Sequence, residues 1–164
     1  MSDKIATAHN HALTIPAFGK SPALTLDMGK IREAEERLVE AKTVNPVTYA
    51  DLEHSFNEAY RDLKRHLASL GFQITQAEKA IQDAKANVLL DTYPAYLEAN
   101  GIKKTQDNSD LRNAFMSRDP AYNAALDRLN QLKAMEAMMD GKIKVIENTC
   151  RYICLLYTSP SPRD

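Results

Sequence analysis

Basic side chains are the residues of this sequence whose grouping most directly suggests chemistry. Arg61, Lys64 and Arg65 lie close together, and His66 follows them directly. Cations grouped in this way can contact the phosphates of a nucleic acid. They can also complement the C-terminal end of a helix, because Gly71 is well placed to end one shortly afterwards. The sequence leaves both interpretations open.

The histidines and cysteines form no recognisable catalytic or metal-binding motif. His9 and His11 could share a metal ion, but without a cysteine or an acidic partner nearby their spacing favours a solvated tail. The sequence contains no G-x-x-x-x-G-K-[S/T] loop, no G-x-G-x-x-G turn, no H-E-x-x-H pair and no paired C-x-x-C. We therefore predict that the protein is not an enzyme and uses neither a metal nor a cofactor.

The composition is typical of a soluble helical protein. Charged residues make up 26% and hydrophobic residues 44%, with five glycines and no tryptophan. The net charge of −1 gives no global attraction to nucleic acid or membrane, so such binding would need local patches. No run of 18 apolar residues occurs, so we expect no membrane segment. Before residue 154 the only cysteine is Cys150, which fits a reducing cytoplasm and a small buried side chain.

The two ends of the sequence differ from its middle. Residues 1–24 contain Pro16 and Pro22 and show neither helical nor strand periodicity, which predicts a flexible N-terminal arm. Residues 154–164, CLLYTSPSPRD, read as the direct translation of a transposase sequencing adapter. We treat this tail as non-native and expect the natural chain to be cut near Ile153. The helical domain is therefore predicted to occupy residues 25–153.

Hydrophobic spacings of three and four predict an all-α fold, a bundle of about four main helices with one additional short helix. Asn45-Pro46 and Gly71 are predicted to separate the first three, and Pro94 to end or bend the third. A capping box, Thr75-x-x-Glu78, marks the expected start of the third helix. The predicted helical ranges are 27–43, 48–70, 76 to the early nineties, 110–116 and 119–153.

The last of these helices carries the longest apolar stripe. Asp119-Pro120 is a strong start signal, since aspartate caps free N–H groups and proline at the first helical position loses no hydrogen bond. One stripe of this length needs partners, either other helices of the chain or copies of itself. We predict that it supports oligomerisation through the residues Leu129, Leu132, Met135, Met139, Ile143, Ile146 and Cys150.

The order of features from about Asn57 to Ile153 resembles that of the UvsY-like recombination mediators of T-even-type bacteriophages. The segments that carry the resemblance are Ala77-Glu78-Lys79-Ala80 to Lys85, Asp91-Thr-Tyr-Pro-Ala-Tyr96, Asp110-Leu-Arg-Asn-Ala-Phe115, Ser117-Arg-Asp-Pro-Ala-Tyr122 and Gly141-Lys-Ile-Lys-Val-Ile-Glu-Asn-Thr-Cys-Arg-Tyr-Ile153. The resemblance implies a homo-oligomer in the host cytoplasm that binds single-stranded DNA. It also implies that the protein helps to load a RecA-like recombinase past a single-strand-binding protein.

The DNA-binding candidates come from two sources. The resemblance points to the basic residues Lys79, Lys85, Lys103 and Lys104, whereas charge density alone points to Arg61, Lys64 and Arg65. A different class of protein shares the helical stripe: a phage structural or scaffolding coiled-coil protein that assembles without binding DNA. Salt-dependent DNA binding would distinguish the two, because releasing counterions from phosphates makes affinity fall steeply with salt.

Overall fold

The computed structural model describes residues 11–158, except for the side chains of residues 104, 157 and 158. The predicted all-α class is confirmed, since helices dominate and the sheet has only two short strands. The α-helices and strands are β1 (Ala12–Ile15), β2 (Leu24–Asp27), α1 (Gly29–Arg37), α2 (Pro46–Asn87), α3 (Tyr93–Ala99), α4 (Ser109–Met116) and α5 (Pro120–Thr158). Three shorter helical turns connect them: 3-10 turns at Glu40–Thr43 and Lys104–Gln106, and a π-helical turn at Val88–Thr92.

Strands β1 and β2 form an antiparallel hairpin, so the predicted flexible arm is wrong for residues 11–24. Leu13 pairs with Leu26, and both Ile15 and Leu26 are buried. Leu13 and Ile15 alternate with Thr14, and Leu24 and Leu26 alternate with Thr25 and Asp27, so a period-two signal is present but spans only four residues in each strand. The rest of the predicted arm, including His9, lies outside the described residues.

Helix α2 is continuous across the position where a break was predicted. Glycine inside a helix costs about 1 kcal/mol relative to alanine, and the burial of Leu70 and Ile74 on either side of Gly71 offsets that cost. Thr75 is not a cap, because its hydroxyl donates to the carbonyl oxygen of Gly71 at 3.1 Å, within the helix. The helix instead starts at Pro46, where the Asn45 side-chain oxygen accepts the N–H groups of the second and third helical residues.

The predicted starts of the last two helices agree with the structure. The Asn108 side chain accepts the N–H of Leu111 at 2.9 Å and caps α4. The Asp119 carboxylate accepts the N–H of Tyr122 at 2.7 Å and caps α5, whose first residue is Pro120. Helix α5 passes Gly141 without interruption and continues beyond Ile153 to Thr158, into the segment whose non-native origin stays a prediction.

The chain divides into two compact units rather than the single domain predicted for residues 25–153. Unit 1 contains residues 11–17, Pro22–Leu67 and residues 139–158, and its buried side chains include Ile31, Phe56 and Ile146. Unit 2 contains Phe18–Ser21 and Ala68–Met138, with Leu70 and Leu132 among its buried side chains. Within residues 11–158, none of the helices has the length and apolar character needed to cross a membrane.

Four of the seven α5 residues that were predicted to make subunit contacts are buried within the chain, whereas the role of the stripe in oligomerisation stays a prediction. Leu132, Met139, Ile143 and Ile146 are each at most 2% exposed. Leu129, Met135 and Cys150 are half-buried. Because the chain's own packing already covers the four most buried residues, they have no free surface for a second copy.

Candidate nucleic-acid interface

The predicted basic residues belong to both units of the chain. Arg61, Lys64 and Arg65, here named the Arg61 cluster, belong to unit 1. The four lysines suggested by the resemblance belong to unit 2, and the side chain of one of them, Lys104, is not described.

The Arg61 cluster is exposed, but neighbouring acidic residues neutralise its arginines. Arg61 forms an ion pair with Glu58 at 2.8 Å, and Arg65 forms one with Asp62 at 3.2 Å. Lys30 and then Arg61 hold the pKa of Glu58 below its usual value. The ammonium of Lys64 lies 5.2 Å from the centre of the Tyr60 ring. A phosphate approaching this cluster would therefore meet cations that already have local partners.

His66 does not belong to the exposed cluster that precedes it. Its side chain is buried, and its Nε2 lies 2.6 Å from the carbonyl oxygen of Asp27 on strand β2. The ring N–H donates to that carbonyl and ties α2 to the hairpin inside unit 1. This histidine therefore has a structural role.

The three lysines suggested by the resemblance whose side chains are described are separated from one another. Lys79 and Lys85 are both on α2, but six residues of helix turn the chain so that they point roughly 120° apart. The Lys85 ammonium lies 5.9 Å from the centre of the Tyr122 ring. Lys103 is exposed just before the 3-10 turn at Lys104–Gln106. Of these three, Lys79 lines a substantial cavity.

That cavity, here named the alanine groove, has a volume of about 510 Å³. The turn of the hairpin, helix α2 and helix α5 line it, all with residues of unit 2. Five alanines leave it open, because none of their side chains extends beyond Cβ, and of these Ala84 and Ala125 are buried. The lining residues are Phe18, Gly19, Lys20, Ser21, Gln76, Lys79, Ala80, Asp83, Ala84, Asn87, Ala121, Ala124 and Ala125.

The charges at the alanine groove are different from those of the Arg61 cluster. Lys20 and Lys79 are both exposed, and among the described residues neither forms an ion pair with a carboxylate. One carboxylate, that of Asp83, also lines the groove, together with the amides of Gln76 and Asn87. The groove therefore carries one more positive than negative charge, alongside groups that can donate and accept hydrogen bonds.

Phe18 gives the alanine groove an aromatic wall. Its N–H donates to the Ser21 carbonyl at 3.0 Å, and the Ser21 N–H donates back at 2.8 Å. Gly19 closes this turn with a φ of +54°, a conformation that glycine adopts without strain. The guanidinium of Arg128 lies 5.9 Å from the Phe18 ring centre, and burial lowers the pKa of that arginine. A buried cation thus helps to hold the ring in place.

A second aromatic residue, Phe72, lies near the groove on the same face of α2. It is 60% exposed and stands seven positions before Lys79, close to two full helical turns. Phe18, Lys20 and Phe72 were not among the binding candidates predicted from the sequence. The available signal for Phe72 was that it lies off the apolar stripe of its helix, whereas nothing local placed the hairpin turn beside Lys79.

The other residues considered for chemistry have structural surroundings. Burial is the main cause that raises the pKa of the Cys150 thiol, which keeps it protonated at neutral pH. Tyr93 is buried and its ring centre lies 5.3 Å from that of Phe115, so it packs inside unit 2. Within residues 11–158, no three side chains of the His, Cys, Asp and Glu types are grouped so that they could hold a metal ion.

Comparison of the chain with known protein families, with curated proteins and with solved structures finds no match.

Proposed function

We propose that this protein is a non-enzymatic accessory protein of phage recombination and replication that binds single-stranded DNA. The observation that carries the proposal is the alanine groove, where Lys20 and Lys79 lie beside the ring of Phe18. Both lysines are exposed, and neither forms an ion pair with another residue that the structure describes. Single-stranded nucleic acids are bound by this combination of cations along the backbone and aromatic rings on which bases stack. Because the net charge of the chain is −1, such binding has to be local.

The recombination role rests on the resemblance to the UvsY-like mediators. In that role the protein acts in the host cytoplasm and helps a RecA-like recombinase to displace a single-strand-binding protein from DNA. Lys79, the residue that the resemblance and the groove have in common, links the two lines of support.

A homo-oligomer is also part of the proposal, but through residues other than the buried stripe. Val145 and Tyr152 on α5 are 48% and 47% exposed, and both belong to unit 1. They stand seven positions apart, so they lie on the same face of the helix. This exposed apolar pair is the better candidate for a contact with a second copy.

The same pair favours a second candidate function. A phage structural or scaffolding coiled-coil protein would use Val145 and Tyr152 for assembly and would not require Lys20, Lys79 or Phe18. Oligomerisation alone therefore supports either function, and DNA binding separates them.

The test is a fluorescence-anisotropy titration of a labelled single-stranded oligonucleotide at low and moderate salt, with the same sequence as a duplex for comparison. Light scattering on the same samples gives the mass of the particle. We expect salt-sensitive binding that is stronger for the single strand than for the duplex. An oligomer that binds neither the single strand nor the duplex at low salt would contradict the proposal and favour the scaffolding alternative.

The loading role needs its own measurement. The DNA-dependent ATPase activity of a RecA-like recombinase on single-stranded DNA coated with a single-strand-binding protein should rise when this protein is added. The same addition on bare DNA is the control, since a mediator is needed only where the coating must be displaced. An equal effect on coated and bare DNA would contradict the loading role while leaving DNA binding intact.

A further inference from the structure

The alanine groove has the size and lining of a site for a small flat molecule. Its volume of about 510 Å³ lies within the range of roughly 300–1,000 Å³ that is usual for small-molecule sites. Its apolar surface comes from alanines and one aromatic ring. Its polar groups are two side-chain amides, the hydroxyl of Ser21, one carboxylate and two lysines. A nucleobase with its phosphate combines a flat apolar face, polar edges and a negative charge in the same way.

We propose that the alanine groove binds one unpaired nucleobase of a single strand, stacked on Phe18, with the neighbouring phosphates at Lys20 and Lys79. This inference rests on the proposed function, because it assigns the DNA-binding role to a defined site and a defined part of the ligand. A base inside a duplex has both faces stacked and its pairing edge occupied, so it cannot enter without leaving the helix. The groove therefore selects single strands.

The position of Asp83 orients the ligand in the groove. Its carboxylate stands four residues after Lys79 on the same face of α2 and repels phosphate, which disfavours a path of the DNA backbone over that end of the groove. The same carboxylate accepts hydrogen bonds only, whereas the amides of Gln76 and Asn87 both donate and accept. Together these groups match the mixed donors and acceptors on the edge of a base without selecting one base strongly.

Phe72 extends the site along α2. It precedes Gln76 by four residues, so the two side chains are neighbours on the helix surface, about 6 Å apart along its axis. Its exposed ring provides a second stacking surface for the nucleotide next to the one in the groove.

The test fills the groove without changing any charge. Ala124 lines the groove and is exposed, so Ala124→Leu occupies the space of the base and keeps a good helix former at the position. Ala134→Leu makes the same change at an exposed position of α5 outside the groove and is the matched control. Each variant is titrated with a single-stranded oligonucleotide and with an abasic strand of the same length, which keeps the phosphates and lacks the bases.

We expect Ala124→Leu to weaken binding of the base-bearing strand at least about fivefold and to leave binding of the abasic strand unchanged. Ala134→Leu should change neither. Equal affinities of the two variants for the base-bearing strand would overturn the assignment of the groove. So would an equal loss on both strands, since that would show a general effect on the protein rather than the loss of a base site.

Phe18→Leu provides an independent variant, because leucine keeps an apolar side chain but removes the stacking ring. It should reproduce the selective loss, with an unchanged circular-dichroism spectrum. If neither groove variant affects binding but Lys20→Ala with Lys79→Ala weakens it, the base site is wrong and DNA binding stands. If the unmodified protein binds neither strand at low salt, both the base site and the proposed function are overturned.

Discussion

The Arg61 cluster of unit 1 and the alanine groove of unit 2 both present exposed cations, but the cations of the two regions differ in what surrounds them. Arg61 and Arg65 are each paired with an acidic residue three positions earlier on the same helix. Lys20 and Lys79 form no such pair within residues 11–158, and they adjoin an open cavity with an aromatic wall. The denser cluster in the sequence is thus the less available one in the structure.

The number of basic residues in a region therefore gives its positive charge, but it does not show whether those cations are free of carboxylate partners and able to bind a phosphate. A cation held by a carboxylate has to lose that partner before it can bind a phosphate, so the gain in free energy is smaller. An unpaired cation beside a cavity can act together with the groups that line it. We therefore assign binding to the region with fewer cations and more complementary surface.

The largest expected effect is on the stability of unit 1, where buried and exposed positions of α5 can be compared. Ile146 is 1% exposed, so Ile146→Ala should lower the free energy of unfolding by about 2–5 kcal/mol. The neighbouring change Val145→Ala, at a position 48% exposed, should cost less than about 1 kcal/mol. Thermal unfolding measures both. A fall in particle mass for Ile146→Ala without a loss of stability would return the buried stripe to the role of a subunit contact.

The next effect tests the groove by reversing its charge. The double variant Lys20→Glu with Lys79→Glu should weaken binding of single-stranded DNA by about tenfold or more at low salt, because phosphates would then meet carboxylates. Both positions are exposed, so the circular-dichroism spectrum and melting temperature should change little. Unchanged DNA affinity in this variant would remove the electrostatic part of the proposed site.

A smaller effect is expected for the ion pairs of the Arg61 cluster. The side chains of Arg61 and Arg65 are 71% and 73% exposed, and exposed ion pairs contribute about 0–1 kcal/mol each. Arg61→Ala with Arg65→Ala should therefore change the free energy of unfolding by no more than about 2 kcal/mol in total. Chemical denaturation in low and high salt is the measurement, and a loss well above this limit would show that the cluster supports the fold of unit 1.

The smallest expected effect is a pH dependence of the stability of unit 1. Lys30 and then Arg61 lower the pKa of Glu58 from its ordinary value of 4.5, so this carboxylate stabilises the folded state above that pH. The contribution is lost as the pH falls through the lowered pKa. Lys30→Met should therefore reduce the melting temperature at neutral pH, and the difference from the unmodified protein should shrink as the pH falls below 4.5 and through the lowered pKa of Glu58.

Lys20→Met is the matched control for this pH dependence. Lys20 is exposed and forms no ion pair among the described residues, so any effect of its removal should be constant over the same pH range. Parallel pH profiles for the two variants would contradict the contrast between paired and unpaired lysines.

Local signals in the sequence predicted much of the fold. Asp119-Pro120 marked the start of α5 correctly because both the cap and the proline act within one helical turn. Gly71 and Thr75 misled the prediction of α2, since packing on both sides of the glycine outweighed its helix-breaking tendency. The hairpin was missed because its four-residue strands are specified mainly by each other and by the burial of Ile15 and Leu26.

The candidate site was only partly predictable for the same reason. Lys79 was named from the sequence, but Phe18 and Lys20 reach the groove through the turn of a hairpin far away in the chain. Helix and strand periodicities relate only residues that are near one another in the sequence, so they could not place Phe18 and Lys20 beside Lys79. The neutralisation of Arg61 and Arg65, by contrast, was readable, because Glu58 and Asp62 stand three positions before them on a predicted helix.

The most direct test of the central claim is the salt dependence of single-stranded DNA binding in two double variants measured side by side. Each phosphate contact that is removed should lower the slope of log affinity against log salt by about 0.7. We expect Lys20→Ala with Lys79→Ala to lower the slope by about 1.4 and Arg61→Ala with Arg65→Ala to leave it nearly unchanged. The opposite order, with the loss in the Arg61 cluster and none at the groove, would contradict the assignment of DNA binding to unit 2.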